Sequence, residues 1–535
     1  MKKSVIILLA ITALCVVLTF LIVHKYTNGR LPATETNKIN ENIVYENAYI
    51  VSNEDNTINF VCGGKLFSTD GTMQENYTGV ADISVVDGKI KKISSKPDIL
   101  TGKMLSYNEG QMNIEGTGQM PMVSKQIPVY DASGENVQEI AIDGLVVGAE
   151  ELSYVLDSGK ICAIVRNNDP DLTYIRVLLK NGSNELWDDI AVEVSADPGG
   201  TQTLMINDEQ TDIRKIESIK QYFEQSGSDT IKISPANGFF LFDGHTYEGV
   251  LECRQYDGGI TAVNTINVED YLRYVLPSEM PSTYDAQALM AQAVCARTFA
   301  YAQMHNGTYA DYGANIDDST AYQVYNSGGT YESTDKAVED TAHQVITCGG
   351  ELITCYYFST SPGMTEDMEV WDSQTPPYIK KVGSEDDNSP YYRWKAALDA
   401  SEYTDEKIGK LTAINVEKTS DSGYVLSVTL EGTEGKITYK TENDIRKALG
   451  RYLKSIELND GSKRENLTMI PSACFTVEKS GDGQFILSGG GFGHGIGMSQ
   501  CGAGKMAENG ASYNDIIGYY YKDVTITDIN DLATI

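Results

Sequence analysis

Basic charge is scarce in this chain. Its 42 Lys and Arg stand against 75 Asp and Glu over 535 residues, a net charge of −33. So acidic a surface repels phosphate backbones and anionic lipid headgroups, which argues against nucleic acid and against an anionic membrane surface as partners. Cysteine is sparse and scattered, nine residues in all, so no disulfide framework can be read from spacing. Cys348 and Cys355 are placed to bridge two adjacent strands, with free buried thiols as the equal alternative. Histidine is scarcer still, at five. The grouping His343, Cys348, Cys355 matches no zinc spacing, so no metal and no cofactor are expected. The chain lacks a phosphate-binding Gly-Lys-Ser/Thr loop, a dinucleotide fingerprint in a βαβ unit, a nucleophile elbow and any internal repeat.

One long apolar run is present, at residues 5–23, broken only by Thr12 and Thr19 and preceded by Lys2 and Lys3. It is just long enough to cross a bilayer as a helix, and no small-residue cleavage pattern follows it. The expectation is an uncleaved signal anchor at 1–26, single-pass in the cell membrane, with the bulk of the chain extracytoplasmic. Cleavage of the segment is the alternative. A polar stretch at 27–42 reads as a linker. Short alternating runs at 43–150 predict a β-rich module, with Asp87-Gly88 as a hairpin turn. A mixed domain is expected at 151–530, so the fold class is α+β: a β-rich N-terminal module on a membrane anchor, then an α+β catalytic domain with a central long helix. The spacing of Ile213, Ile216, Ile219 and Phe223 predicts a short amphipathic helix over 212–223.

Three stretches can carry chemistry. In Pro277-Ser278-Glu279-Met280-Pro281 a carboxylate sits between two prolines, each of which biases the residue before it away from helical geometry. Glu279 is therefore expected on a stiff connector ahead of a long Ala-rich helix. On that helix Gln292 and Arg297 share a face with alanines, and polar groups on a packed face need polar partners. For Arg297 a structural salt bridge competes with a site role. The second stretch is Gly-rich, residues 489–500, and holds His494, Ser499 and Gln500; glycines flanking the imidazole leave it unhindered for catalysis, metal binding or substrate contact. The third is a strand running into Ser359-Thr360-Ser361, hydroxyls suited to a sugar or to an ordinary turn.

In this order the stretches resemble the stage II sporulation protein D family of bacterial cell-wall enzymes, which includes proteins described as amidase enhancers. The similarity runs through Asn264, Val268, Glu269, Tyr271, Leu272 and Val275, then Glu279-Met280-Pro281, Gln292, Ala293, Ala296, Arg297 and Thr298. It continues through Phe358-Ser359-Thr360-Ser361, Gly363, Thr365 and Glu366, and closes on Gly493-His494-Gly495, Ser499-Gln500, Tyr519 and Tyr520. It covers about residues 165–530, with core motifs at 264–304, 356–371 and 489–520, and leaves out the first 150 residues. The resemblance implies a lytic transglycosylase that cleaves peptidoglycan glycan strands to 1,6-anhydromuramyl products, with sporulation as one setting. Glu279 matches the family's catalytic glutamate. Gln292, Arg297, Ser359, Thr360, Ser361, His494, Ser499 and Gln500 are then the expected substrate contacts. Partners are the glycan strands, the membrane through residues 5–23 and other wall hydrolases. Where some relatives carry a His and Cys metal cluster, residues 312–325 offer Asp317 and Asp318 only, so no zinc is expected there. The alternatives are a non-catalytic wall-binding enhancer of an N-acetylmuramoyl-L-alanine amidase and a membrane-anchored scaffold.

Overall fold

The computed structural model describes residues 42–532, apart from 55, 72–76, 109, 135, 196–202, 237, 326–328, 401–403, 466 and 481–483. The expected anchor at 5–23, and all but the last residue of the linker, lie outside these residues. Among the described residues no helix is long and apolar enough to cross a membrane. The chain is mixed α and β and divides into two compact units.

The first unit comprises the chain up to Leu172 with His305–Asn315. A five-stranded sheet places Ile43–Glu54 at its centre, between Thr57–Cys62 and Gly79–Val86. Along Gly79–Val86 the buried residues Ala81, Ile83 and Val85 follow the two-residue period of a strand face and share one core, while Val80 packs on the other face. The turn after it is the expected hairpin: Asp87 and Gly88 both take positive φ, 52° and 72°, as a tight two-residue turn requires. A seven-stranded sheet follows. The boundary expected near residue 150 falls inside this sheet, because Glu151–Asp157 pairs with Ile99–Asn108 on one side and Lys160–Arg166 on the other.

The second unit, Thr173–Met304 and Ile316–Ile535, carries every expected site residue. Its seven-stranded sheet includes Val250–Tyr256, Gly259–Asn267 and Tyr174–Leu178. The amphipathic helix, α1, is Ile219–Ser226, later than predicted: Ser218 caps it, and Lys215–Ile216 pairs as a strand instead. Helix α2 (Val268–Glu279) starts at the Asn267 cap, whose side chain accepts from the Glu269 amide at 2.9 Å.

α2 corrects the connector reading. It runs through Pro277 and ends on Glu279. In the last turn a proline forfeits only one backbone bond, so the helix tolerates it. The second proline acts as expected: Met280, just before Pro281, is extended at φ −132°, ψ 133°. Glu279 thus sits at a helix C-terminus, where the helix dipole opposes negative charge.

Helix α3 (Ala286–Met304) is buried on nearly all sides, from Ala288 through Ala300. A helix with no polar face becomes the centre of its domain. α3 packs against α2, against α4 (Glu332–Asp340), against the strand Gln344–Cys348, and against two closing helices. Further along, two antiparallel sheets and α5 (Glu442–Gly450) share one core around Trp394, Val428, Leu449 and Leu487. The closing helices are α6 (Gln500–Glu508) and α7 (Tyr513–Tyr520).

Candidate active site

Glu279 is half-buried, and its Oε1 accepts from the Val324 amide at 2.6 Å. The Gln500 side chain supplies a second hydrogen bond. Both favour the charged form. Desolvation outweighs them and lifts the carboxyl pKa to about 7. No guanidinium, ammonium or second carboxyl is among the groups that set this value.

Amides and phenols surround the acid. Gln500 Nε2 donates to Gln292 Oε1 at 3.5 Å, at the limit of a hydrogen bond. Gln292 is fully buried and its Nε2 has no partner among the described residues. Gln323 accepts from the Tyr271 hydroxyl at 3.2 Å and donates to the Tyr357 hydroxyl at 2.9 Å. Burial pushes both phenols well above their ordinary values, and each also feels the charge of Glu279. They are therefore neutral hydrogen-bonding groups at any working pH. Gln323 and Val324 lie in the Tyr- and Asp-rich loop after α3. Neither the amide of Val324 nor Gln323 and Tyr357 was legible in sequence, since no motif marks a backbone donor or a buried Gln–Tyr pair.

Gln500 is thus brought to Glu279, with Gln292 behind it, while Arg297, Thr360, Ser361 and Ser499 are engaged in internal bonds. Arg297 is fully buried and spends its guanidinium on structure. Nε and Nη2 grip Glu269 at 2.8 and 2.7 Å, and further bonds reach the Val338 and Gln344 carbonyls at 3.1 and 3.3 Å. It ties α3 to α2 and α4, as the salt-bridge alternative had it, and the substrate-contact expectation gives way. Thr360 and Ser361 are also buried. The Thr360 hydroxyl meets Ser389 at 2.8 Å, and the Ser361 amide donates to Asp386 Oδ2 at 2.6 Å. Ser499 caps α6 and donates its hydroxyl to the same Asp386. Asp386, which no sequence signal marked, accepts from the Ser361 amide and from the Ser384 and Ser499 hydroxyls, and burial raises its carboxyl. Ser359 is the one member of the turn that stays half-buried.

His494 stays half-buried. Its ring packs against Trp371 and Phe358, with centroids 5.1 and 5.7 Å away. Nδ1 accepts from the Ile496 amide at 3.0 Å and the other nitrogen bonds the Tyr357 backbone. Desolvation lowers its pKa to about 4, so the imidazole is neutral, with both nitrogens engaged. Among the described residues no group of three His, Cys, Asp or Glu side chains converges on a common point. The Cys348–Cys355 bridge is not formed: the strand Gln344–Cys348 pairs Cys348 with Glu351, while the Cys355 thiol meets that of Cys295.

The Gly-rich stretch works as scaffold. Gly497 has φ +77°, and a Cβ there would lie 2.0 Å from the Tyr356 carbonyl oxygen. It lets Met498–Ser499 pair with Tyr357–Phe358 and so places Gln500. Gly497→Ala is expected to cost about 2–4 kcal/mol. Gly510→Ala, also at positive φ but facing open space, is expected to cost only about 1–2 kcal/mol. Denaturant midpoints of the two variants check the difference, and equal losses would remove the clash argument.

A family model described as Stage II sporulation protein matches residues 256–348, the segment that holds α2, α3 and Glu279. A second, described as a domain of unknown function, matches residues 378–497. Over 287 residues the chain is 34% identical to stage II sporulation protein D of Bacillus subtilis (strain 168), covering 50% of this chain and 76% of that protein. It is 33% identical over 292 residues to stage II sporulation protein D of Bacillus amyloliquefaciens, covering 51% and 78%. Over 389 residues it is 32% identical to the amidase enhancer of Bacillus subtilis (strain 168), covering 64% of this chain and 52% of that protein. The chain therefore spans about half the length of that last relative.

Proposed function

The chain belongs to the stage II sporulation protein D family, and from that premise we propose that it acts on the bacterial cell wall as a membrane-anchored lytic transglycosylase of peptidoglycan glycan strands. The reading rests above all on one observation: a desolvated carboxyl, Glu279, whose pKa is raised to about 7 with no charged partner. Hydrolytic glycosidases use two carboxyl groups, one as acid and one as base or nucleophile. A transglycosylase needs one, because the nucleophile is a hydroxyl of the substrate. Glu279 gives its proton to the glycosidic oxygen as the bond from C1 breaks. The resulting carboxylate takes the proton of the muramyl 6-hydroxyl as that oxygen bonds to C1. Glu279 ends protonated, no water is consumed, and the product is a 1,6-anhydro sugar. Gln500 and the Val324 amide orient the carboxyl, Gln292 holds Gln500 from behind, and the neutral phenols of Tyr271 and Tyr357 line the surroundings without fixing its charge.

The wider setting follows the same reading. Residues 5–23 anchor the chain in the cell membrane with the bulk extracytoplasmic, and other wall hydrolases work beside it. A second reading is favoured by the length of the similarity to the amidase enhancer: a non-catalytic wall-binding protein that stimulates an amidase. Incubation of the full chain with glycan strands stripped of stem peptides separates the two. Release of anhydromuramyl products is expected, at a rate that falls as pH rises through about 7, because the protonated acid is then lost. Wall binding without cleavage, together with faster turnover of an added amidase, would favour the enhancer.

A further inference from the structure

We infer that the cleft over the outer face of the sheet containing Trp394–Leu398 binds a short anionic peptide, the stem peptide carried by peptidoglycan; the identity of that ligand rests on the wall reading above. The cleft lies within residues 362–490, mostly in the segment that matches a domain of unknown function. Its volume is about 780 Å³, within the range of small-ligand sites.

The cleft floor follows from strand alternation. Trp394, Ala396 and Leu398 point into the core, which turns Lys395 outward. Register then sets four side chains in one row across four strands: Thr476 opposite Ser488, Ser488 opposite Lys395, and Lys395 opposite Glu457. All four are exposed and all four line the cleft. Neighbouring strands stand about 4.8 Å apart, so the row runs roughly 14 Å. Thr476 and Glu457 stand at its ends, Arg393 and Asn459 lie beside Lys395 and Glu457 two residues further along the same two strands, and Val416 and Val477, which also pack against the core, complete the lining.

Charge names the ligand. The chain as a whole carries −33, yet the lining charges are Arg393, Lys395 and Glu457, a net +1. Glu457 lies 3.9 Å from Lys463. Among the described residues no carboxylate pairs with Arg393 or Lys395. Arg393 is held rigidly: Nη1 donates to the Pro362 and Tyr392 carbonyls at 2.9 and 2.7 Å, and the guanidinium lies 3.9 Å over the Tyr392 ring. A fixed guanidinium and an ammonium two residues apart suit two carboxylates carried close together. The adjoining hydroxyls and Asn459 suit peptide amides. A stem peptide offers both; a glycan strand stripped of peptides offers only lactyl carboxylates spaced along the sugar.

The test is direct binding to the full chain in detergent, with a free stem tripeptide as probe and its fully amidated form and peptide-free glycan as competitors. Lys395→Glu is expected to weaken tripeptide binding by about tenfold. Amidation is expected to weaken binding to the unaltered chain by a similar factor and to cost the Lys395→Glu chain little more. Equal binding of tripeptide by both chains, no binding to either, or displacement by peptide-free glycan at lower concentration than by tripeptide would overturn the proposal. The lytic reading is scored separately. Lys395→Glu should release anhydromuramyl product from peptide-free glycan at the normal rate, and Glu279→Gln should bind tripeptide normally. A chain that binds peptide and never cleaves glycan would refute only the lytic reading.

Discussion

Glu279→Gln is expected to lower release of anhydromuramyl product by about 10²–10⁴-fold, the share that a positioned general acid contributes. The amide keeps the size of the side chain, and its oxygen still accepts from the Val324 amide at position 324. It has no proton to give at neutral pH and cannot later act as base. Wall binding is therefore expected to persist while the product disappears, as seen by mass analysis of digested glycan. Stability supplies an independent readout. A carboxyl whose folded pKa is raised contributes fully below its ordinary value, and that contribution is lost as pH rises to the folded value of about 7. The Gln variant has no such loss, so its melting temperature should overtake that of the unaltered chain as pH climbs from 5 to 8. A folded Gln variant that cleaves glycan at the normal rate would end the mechanism, and parallel melting curves across that range would end the desolvation argument.

Arg297→Met is expected to destabilise the protein by about 3 kcal/mol, because it strips a partly buried carboxylate of its cation and leaves it only the His343 amide at 3.3 Å, and removes a donor from the Val338 and Gln344 carbonyls. The arginine is fully buried and Glu269 retains 25% exposure, which places the loss at the lower end of the range for broken buried pairs. The double change Glu269→Gln with Arg297→Met should recover part of the loss, since the stranded charge is removed with its partner. Urea unfolding of the four chains in the cycle measures both. A Met variant that unfolds at the normal midpoint, with reduced glycan cleavage, would return Arg297 to the substrate side. The preferred reading predicts the reverse order of effects: stability falls first and activity follows with the folded fraction.

What the sequence determined by itself was whatever depends on neighbours within a few residues. Asp87-Gly88 is a hairpin because a tight turn needs two positive φ values and those residues tolerate them. The Ala-rich run is a long helix because its composition allows no other regular structure and its lack of a polar face sends it to the centre. Glu279 stood out in the sequence as the candidate acid through its motif, and Gln292 and Gln500 as polar residues in unusual company. Tertiary structure decided everything that needs a partner far along the chain. Glu279 is held by an amide 45 residues away, Arg297 by a carboxylate 28 residues before it, and Ser499 by a carboxylate 113 residues before it. The same packing turned the hydroxyls of Thr360, Ser361 and Ser499 inward and engaged both ring nitrogens of His494. The reason is physical: turn and helix preferences are set by local sterics, whereas desolvation and hydrogen-bond satisfaction belong to the shell of atoms that assembles around a group. Whether Glu279 is an ordinary surface carboxylate or an acid poised near neutral pH is a property of that shell, and no stretch of residues around position 279 contains it.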